Sequence, residues 1–265
     1  KFWHDHTLGC DLGRAHVLGH AFPRHSHDTF IVIVSQRGTL RFVRSRQSEE
    51  VGAGAVMTLW PDEPHAGCPS PVDGWCYRAI YPSPSAVSAL SAELLGRPVG
   101  LPNFTGIIRD QRLAAQLVAA HVMIENGEPM ERESAFLWGV GELISRARRV
   151  DLAEIPSAVP PRCIARSVEF IHAHYGEPLS IRELCSLAAC TAFQFIRAFQ
   201  RTTGMSVHAY LNRVRLSNAC RRLANGQAAA EVAAAVGFTD QSHLIRRFRQ
   251  AYGVTPGAYV RDSRH

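Results

Sequence analysis

Short apolar runs alternate with turn residues from about Val17 to Tyr81, in TFIVIVSQRGTLRFV, AVMTLW and WCYRAIY. That spacing predicts an antiparallel sheet closed into a sandwich or barrel. The run Phe30 to Val34 is apolar at every position, as expected of a strand with barrel interior on one side and a cover on the other. Farther on the period changes. RDQRLAAQLVAAHVMIEN and RESAFLWGVGELISRARR read as helices, and Leu113, Leu117, Ala120 and Ile124, spaced 4, 3 and 4, make an apolar seam. The seam packs either on the barrel of its own chain or on a second copy. Proline-rich IPSAVPPR follows, and after it the helical period continues toward the end of the chain.

That last region repeats itself. Glu183 to Leu211 can be laid over Glu231 to Val260: Leu184 matches Val232 at an offset of 48, and Phe195/Leu244, Arg197/Arg246, Phe199/Phe248, Gly204/Gly253 and Tyr210/Tyr259 match at 49. A unit present only twice is a duplicated supersecondary motif, because a solenoid needs three or more copies to bury its core. Each copy reads as two short helices and a tight turn. Ser180 with Glu183 is a capping-box pair, Thr191 with Gln194 opens a second helix, and Gly204 closes it in the left-handed region. In the second copy Gly237 makes the turn, Thr239 or Asp240 caps, Gly253 ends the helix, and Thr255 before Pro256 starts a last one. Small residues near each turn (Ala188, Ala189; Ala233 to Ala235) let the helices cross closely.

This is a helix-turn-helix plan, in which the second helix of each pair enters the major groove of DNA. With Phe195 and Phe199 inward, the opposite stripe of the first reading helix is Ala192, Phe193, Ile196, Arg197 and Gln200. With Leu244 and Phe248 inward, the second presents Gln241, Ser242, Ile245, Arg246 and Arg249. Arg and Gln carry the two-pronged donors that guanine and adenine edges accept, so Arg197 and Arg246 are the first choice for base contacts. Arg201, Arg247 and Arg249 are read as phosphate ligands.

Charge supports this. From Pro160 onward 14 Arg and no Lys stand against 6 acidic residues, an excess of +8, whereas the preceding residues hold 15 basic and 17 acidic, or −2. All of the positive excess lies with the paired helices, which suits a polyanion. The remaining composition, 46% hydrophobic and 20% charged, excludes collagen-like, disordered and disulfide-scaffold classes. No stretch approaches about 18 uninterrupted apolar residues and KFWHDHTLGC lacks a signal-peptide layout, so the expectation is a cytoplasmic protein without a membrane partner. The seven cysteines are scattered with no C-x-x-C pair and read mostly as small reduced core residues.

The stretch AAAVGFTDQSHLIRRFRQAYGVTP, Ala233 to Pro256, resembles the signature of the AraC/XylS family of bacterial transcription regulators, and the resemblance covers about residues 160 to 262. It implies two helix-turn-helix units joined by a longer helix, here Ser206 to Asn225 with Tyr210, Val214 and Leu223 inward. It also places base contacts on Phe193, Ile196, Arg197, Gln241, Ser242, Ile245 and Arg246. Ala192 and Ile196 are apolar where that family commonly has polar contacts, and the ending TPGAYVRD departs from its usual Tyr followed directly by Arg.

Three histidines stand out before the resemblance reaches them. His25 and His27 form an H-x-H pair ahead of a strand, and His65 closes GAVMTLWPDEPH, an order similar to the two motifs of the cupin superfamily. Imidazoles converging from two strands are metal ligands in many such barrels, but Phe30 and Ile31 stand where an acidic ligand is expected. The expectation is therefore no metal and no cofactor. His25, His27 and His65, with Trp75, Tyr77 and Arg78, are read as lining or bordering a pocket for a small effector, as the resemblance to AraC-type sensor domains implies. The histidines at 4, 6, 16 and 20 are read as surface residues.

The fold class expected is α+β with two domains: a cupin-like β-barrel with flanking helices over 1–153, a Pro-rich linker over 154–162, and an all-α tandem helix-turn-helix domain over 163–265. The function expected is a sequence-specific regulator without enzymatic activity, with double-stranded DNA and a small effector as partners, and RNA polymerase and a second copy as further ones. Two rivals stay open: a metal-dependent cupin enzyme carrying a DNA-binding tail, and a constitutive DNA-binding protein whose barrel only dimerises.

Overall fold

In the computed structural model, which describes residues 1–44, 47–95, 106–148 and 159–262, the alternating runs are strands of two antiparallel sheets. β1 (Phe2–Asp5), β2 (Cys10–Val17), β4 (Ile31–Gly38), β7 (Ala55–Leu59), β9 (Trp75–Pro82) and β10 (Gly106–Arg109) form one, in the order β1-β2-β9-β4-β7-β10. β3 (Phe22–His25), β5 (Leu40–Arg44), β6 (Gln47–Val51) and β8 (His65–Pro69) form the other, in the order β3-β8-β5-β6. Their facing sides share one apolar core, with Ile33, Met57 and Trp75 from the first sheet against Leu40, Phe42 and Val51 from the second.

The larger sheet carries a second buried face. Val32, Val34 and Ile80 meet Leu117 and His121 of α2 (Gln111–Asn126), so the helix seam covers the sheet of its own chain. This decides between the two packings open to the seam and explains why β4 is apolar on both sides. α3 (Pro129–Arg148) lies against α2, and α1 (Pro84–Leu95) against α3. Gly139 permits the approach: a Cβ there would lie 3.3 Å from Ala120 Cβ and 3.4 Å from Leu117 Cδ2.

The strands start earlier than Val17. β1 and β2 pair over Phe2↔Gly13 to Asp5↔Cys10, and β10 adds an edge strand beside β7. Their apolar positions are interrupted by Asp11, Gly13 and Arg14, or span only four residues, which left their period unreadable.

The chain divides at Pro156/Ser157 into two units. The second contains α4 (Pro161–His174), α5 (Ile181–Ala188), α6 (Ala192–Thr203), α7 (Val207–Ala224), α8 (Ala229–Ala235), α9 (Gln241–Tyr252) and α10 (Pro256–Asp262). α4 begins within the stretch read as linker: Pro160 occupies its N-cap and Pro161 its first turn, where a missing N–H costs nothing. Residues 154–158 of that stretch lie outside the described residues.

Local chemistry sets the helix ends. Ser180 and Thr191 make complete capping boxes with Glu183 and Gln194, Asp240 accepts from His243 N, and Gly204 and Gly253 sit at φ 73° and 75°. The α5–α6 turn departs from expectation: Ala189 itself occupies the left-handed position, at φ 50°. In the second helix-turn-helix copy Gly237 does so at φ 86°, and a Cβ there would come within 2.9 Å of the carbonyl oxygens of Tyr175 and Gly176. Leu216, Ala219 and Leu223 of α7, Val232 of α8 with Val236 at its C-cap, and Leu244 and Phe248 of α9 close one core. Tyr210 on α7 is half-buried, edge-on to Phe199 at 5.4 Å between centroids.

Candidate functional site

On α9 the apolar side is narrow. His243, Leu244 and Phe248 are buried, while Gln241, Ser242, Arg246 and Arg249 are exposed and Ile245 half-exposed. Arg247 is half-buried and its Nε donates to His243 Nε2 at 3.4 Å, a contact within the helix. The exposed side of the helix, from its first residue to Arg249, thus shows an amide, a hydroxyl and two guanidinium groups to solvent.

α6 differs. Phe193, Phe195, Ile196, Ala198 and Phe199 are all buried, so its apolar arc is far wider than the two phenylalanines suggested. Phe193 (1% exposed) and Ile196 (3% exposed) are therefore core residues, not the base contacts that the family resemblance implies. Transfer of a Phe side chain from water is worth up to about 3 kcal/mol, and α6, between α5 and α7, offered buried room on both flanks. What α6 shows to solvent is Gln200, Arg201 and Thr202, with Arg197 half-buried and its guanidinium carbon 5.7 Å from the Phe193 ring centroid.

In the N-terminal unit His25 and His65 are cross-strand partners on β3 and β8, and His27 follows just beyond β3. The three side chains converge: ring centroids are 4.4 Å apart for His25–His65, 4.9 Å for His25–His27 and 5.4 Å for His27–His65. One ring nitrogen from each lies within 4.8 Å of those of the other two. His25 Nδ1 donates to the Pro23 carbonyl at 2.7 Å and His65 Nδ1 to the Glu63 carbonyl at 2.9 Å. Burial, reinforced by the neighbouring imidazoles, holds the pKa of His27 below the ordinary histidine value; burial is also the main cause for His65. Tyr81, missed by the sequence reading, stands with its centroid 5.9 Å from that of His27, its phenol pushed up by burial.

Trp75 and Arg78 do not join this cluster. Trp75 is a core residue, 2% exposed, stacked on Tyr77, and its Nε1 donates to Ser35 Oγ at 3.0 Å. Arg78 points through the opposite face of the sheet, as the two-residue period of a strand requires when Tyr77 points inward. Its guanidinium donates to Glu125 at 2.9 Å and to His121 Nδ1 at 2.9 Å. His121 Nε2 donates to the Gly13 carbonyl at 3.0 Å. Burial first, then Arg78, lowers the His121 pKa to about 4. Burial works against Glu125, but Arg78, Lys1 and Arg14 hold its carboxylate below the usual range. Tyr77 and Arg78 also border an open depression of about 420 Å³ with Lys1, Arg14, His16 and Gln36.

All seven cysteines are free thiols; only Cys10 and Cys185 are buried, the others being half-buried. No helix among the described residues is long and apolar enough to cross a membrane.

Residues 184–262 match a family model described as a helix-turn-helix domain, and residues 8–139 match an AraC-like ligand binding domain. The chain belongs to the AraC/XylS family. It is an AraC-type DNA-binding transcription regulator with an N-terminal ligand-binding domain. This regulator is 26% identical to the uncharacterized HTH-type transcriptional regulator YbfI of Bacillus subtilis (strain 168), over 84% of its own length and 81% of that protein's. It is 24% identical to the HTH-type transcriptional activator RhaS of Klebsiella pneumoniae (strain 342), over 89% and 86% respectively. Among solved structures, a probable AraC family transcriptional regulator from Rhodopseudomonas palustris CGA009 is 28% identical, with a TM-score of 0.36, covering 38% of this chain and 97% of that one.

Proposed function

We propose that this AraC-type regulator reads its operator chiefly through α9, with Arg246 and Gln241 on base edges, Ser242 beside them and Arg249 on a phosphate. α6 contributes Arg197 at one base and Gln200 and Arg201 along the backbone. The observation that carries the reading is the exposure of Gln241, Ser242, Arg246 and Arg249 on one helix whose other side is locked by Leu244 and Phe248. A rigid, buried back holds the polar front in one orientation, as discrimination between bases requires. Because Phe193 and Ile196 are core, readout by the first helix rests on fewer groups and is the less demanding of the two.

The small-molecule effector is placed where His25, His27 and His65 bring polar nitrogens, beside Tyr81, to an otherwise apolar interior. Control then requires that the effector bind one arrangement of the protein better than another. The protein acts in the cytoplasm, on double-stranded DNA, without a catalytic step. RNA polymerase and a second copy are its further partners.

The test is a pair of substitutions measured over a panel of operator variants. Arg246→Ala is expected to cost about 1–3 kcal/mol and to abolish preference at one base position, leaving the salt dependence nearly unchanged. Arg249→Ala should weaken all sequences alike and reduce the salt slope by about 1. If Arg246→Ala weakened every sequence equally, the base assignment would be lost.

A further inference from the structure

The three imidazoles described above have the chemistry of a ligand set as well as that of a pocket wall. A backbone carbonyl can only accept, so the bonds from His25 Nδ1 to Pro23 and from His65 Nδ1 to Glu63 require the ring proton to be on Nδ1. In the neutral rings Nε2 is then left with a free lone pair, and the carbonyl behind each ring plays the orienting part that metal-binding histidines need. The cross-strand pairing of His25 with His65 fixes two of the rings on the same face of the smaller sheet. His27 lies just past the end of β3, half-buried, and its ring packs on both of the others.

Distances agree with a single ion. Three nitrogens bound tetrahedrally at about 2.0–2.1 Å from one metal are roughly 3.3 Å apart. The donors here all lie within 4.8 Å of one another, so no pair stands more than about 1.5 Å beyond that spacing. Among the described residues no carboxylate joins the group. Glu63, the nearest acid in sequence to His65, accepts from Trp60 N and pairs with Arg44. Phe30, at the place an acidic ligand was expected, is fully buried against Trp60. An all-nitrogen set of borderline softness selects late first-row ions over calcium or magnesium.

We propose that His25, His27 and His65 bind one divalent late first-row transition ion of the zinc class, through three imidazole nitrogens, with at least one coordination position left open. The proposal concerns the same histidines as the effector reading but rests only on their geometry, so an ion can be found whether or not any effector is.

The experiment uses the full chain, stripped with a chelator and titrated with Co²⁺, then with Zn²⁺ in competition. One ion per chain is expected, with the visible Co²⁺ spectrum of a four- or five-coordinate nitrogen site that Zn²⁺ erases. His27→Ala, on the half-exposed rim, should weaken binding by more than about 100-fold, beyond the usual effect of losing an outer partner. His65→Gln should do the same, with circular dichroism to verify that the sheets remain. The double variant His4→Ala, His6→Ala is the control: those rings are exposed and 4.3 Å apart between centroids, and their loss should leave Co²⁺ affinity unchanged. Absence of stoichiometric binding, an unchanged affinity in folded His27→Ala, or a spectrum that disappears with His4 and His6 would each overturn the proposal.

Discussion

Arg78 and Tyr77 are adjacent in the chain and are separated by the thickness of a sheet. Strand alternation says that two such neighbours must part, but not which of them goes inward. Arg78 faces α2 because Glu125 is there to receive its charge, at 2.9 Å with only 6% of the carboxylate side chain exposed. The same cluster holds a titratable group with a consequence for stability. His121 is 1% exposed and its pKa is lowered from 6.5 to about 4, so the unfolded chain binds a proton more readily than the folded one. Its contribution is fully present above the ordinary histidine pKa and is lost as the pH falls through 6.5 toward 4. His27 and His65, displaced the same way, add to the slope. Chemical denaturation across that interval should show a loss of about 1–3 kcal/mol from His121. His121→Gln, which keeps an acceptor for Arg78 and a donor for Gly13, should flatten the curve. An equally steep curve in that variant would assign the effect to other groups.

Glycines that do similar work in sequence differ between elements. Gly204 and Gly237 both sit at positive φ, yet a Cβ at Gly204 would meet nothing within 4 Å, whereas at Gly237 it would press on two carbonyls of the segment after α4. Gly204→Ala should therefore cost about 1 kcal/mol, from backbone strain alone. Gly237→Ala should cost more than about 3 kcal/mol, because strain and overpacking add. Ala189 gives the converse case. As a non-glycine residue in the left-handed region at a helix C-cap, it should stabilise the fold by roughly 0.5–1 kcal/mol when replaced by Gly. Thermal unfolding of the three variants ranks them, and a Gly237→Ala no worse than Gly204→Ala would contradict the packing argument. Helix ends were readable in advance because capping is a contact over three or four residues. The width of the buried arc on α6 was not, because it depends on how many neighbours a helix has, and α6 has flanks on α4, α5 and α7.

Over the whole molecule, charge is divided as the two kinds of recognition require. The +8 excess from Pro160 onward accompanies the helix-turn-helix units, and the near-neutral remainder builds the sheets. Affinity for DNA should consequently fall steeply with salt, by about 1,000-fold between roughly 50 and 200 mM if some six phosphates are contacted. Replacing the exposed Arg41 of β5 by Ala should leave that slope unchanged, whereas Arg201→Ala should reduce it. Equal effects of the two would place part of the polyanion on the N-terminal unit. The arginine-only basic surface was visible in the composition, as was the repeat of paired helices. The histidine cluster was visible as three letters in two motifs, but convergence of their nitrogens was not.

Residue order alone settled whatever depends on neighbours along the chain: the duplicated helix-turn-helix plan, its caps, the buried back of α9 at Leu244 and Phe248, and the location of the positive charge. Tertiary structure settled what depends on elements far apart in sequence. It put the α2 seam on its own sheet, drew Phe193 and Ile196 into the core, turned Arg78 to Glu125 across 47 residues, and brought His25 and His27 to His65. The physical reason is the same throughout. Periodicity specifies which side of an element is apolar, but only the neighbours that pack on it determine how wide that side is and which polar groups meet beyond it.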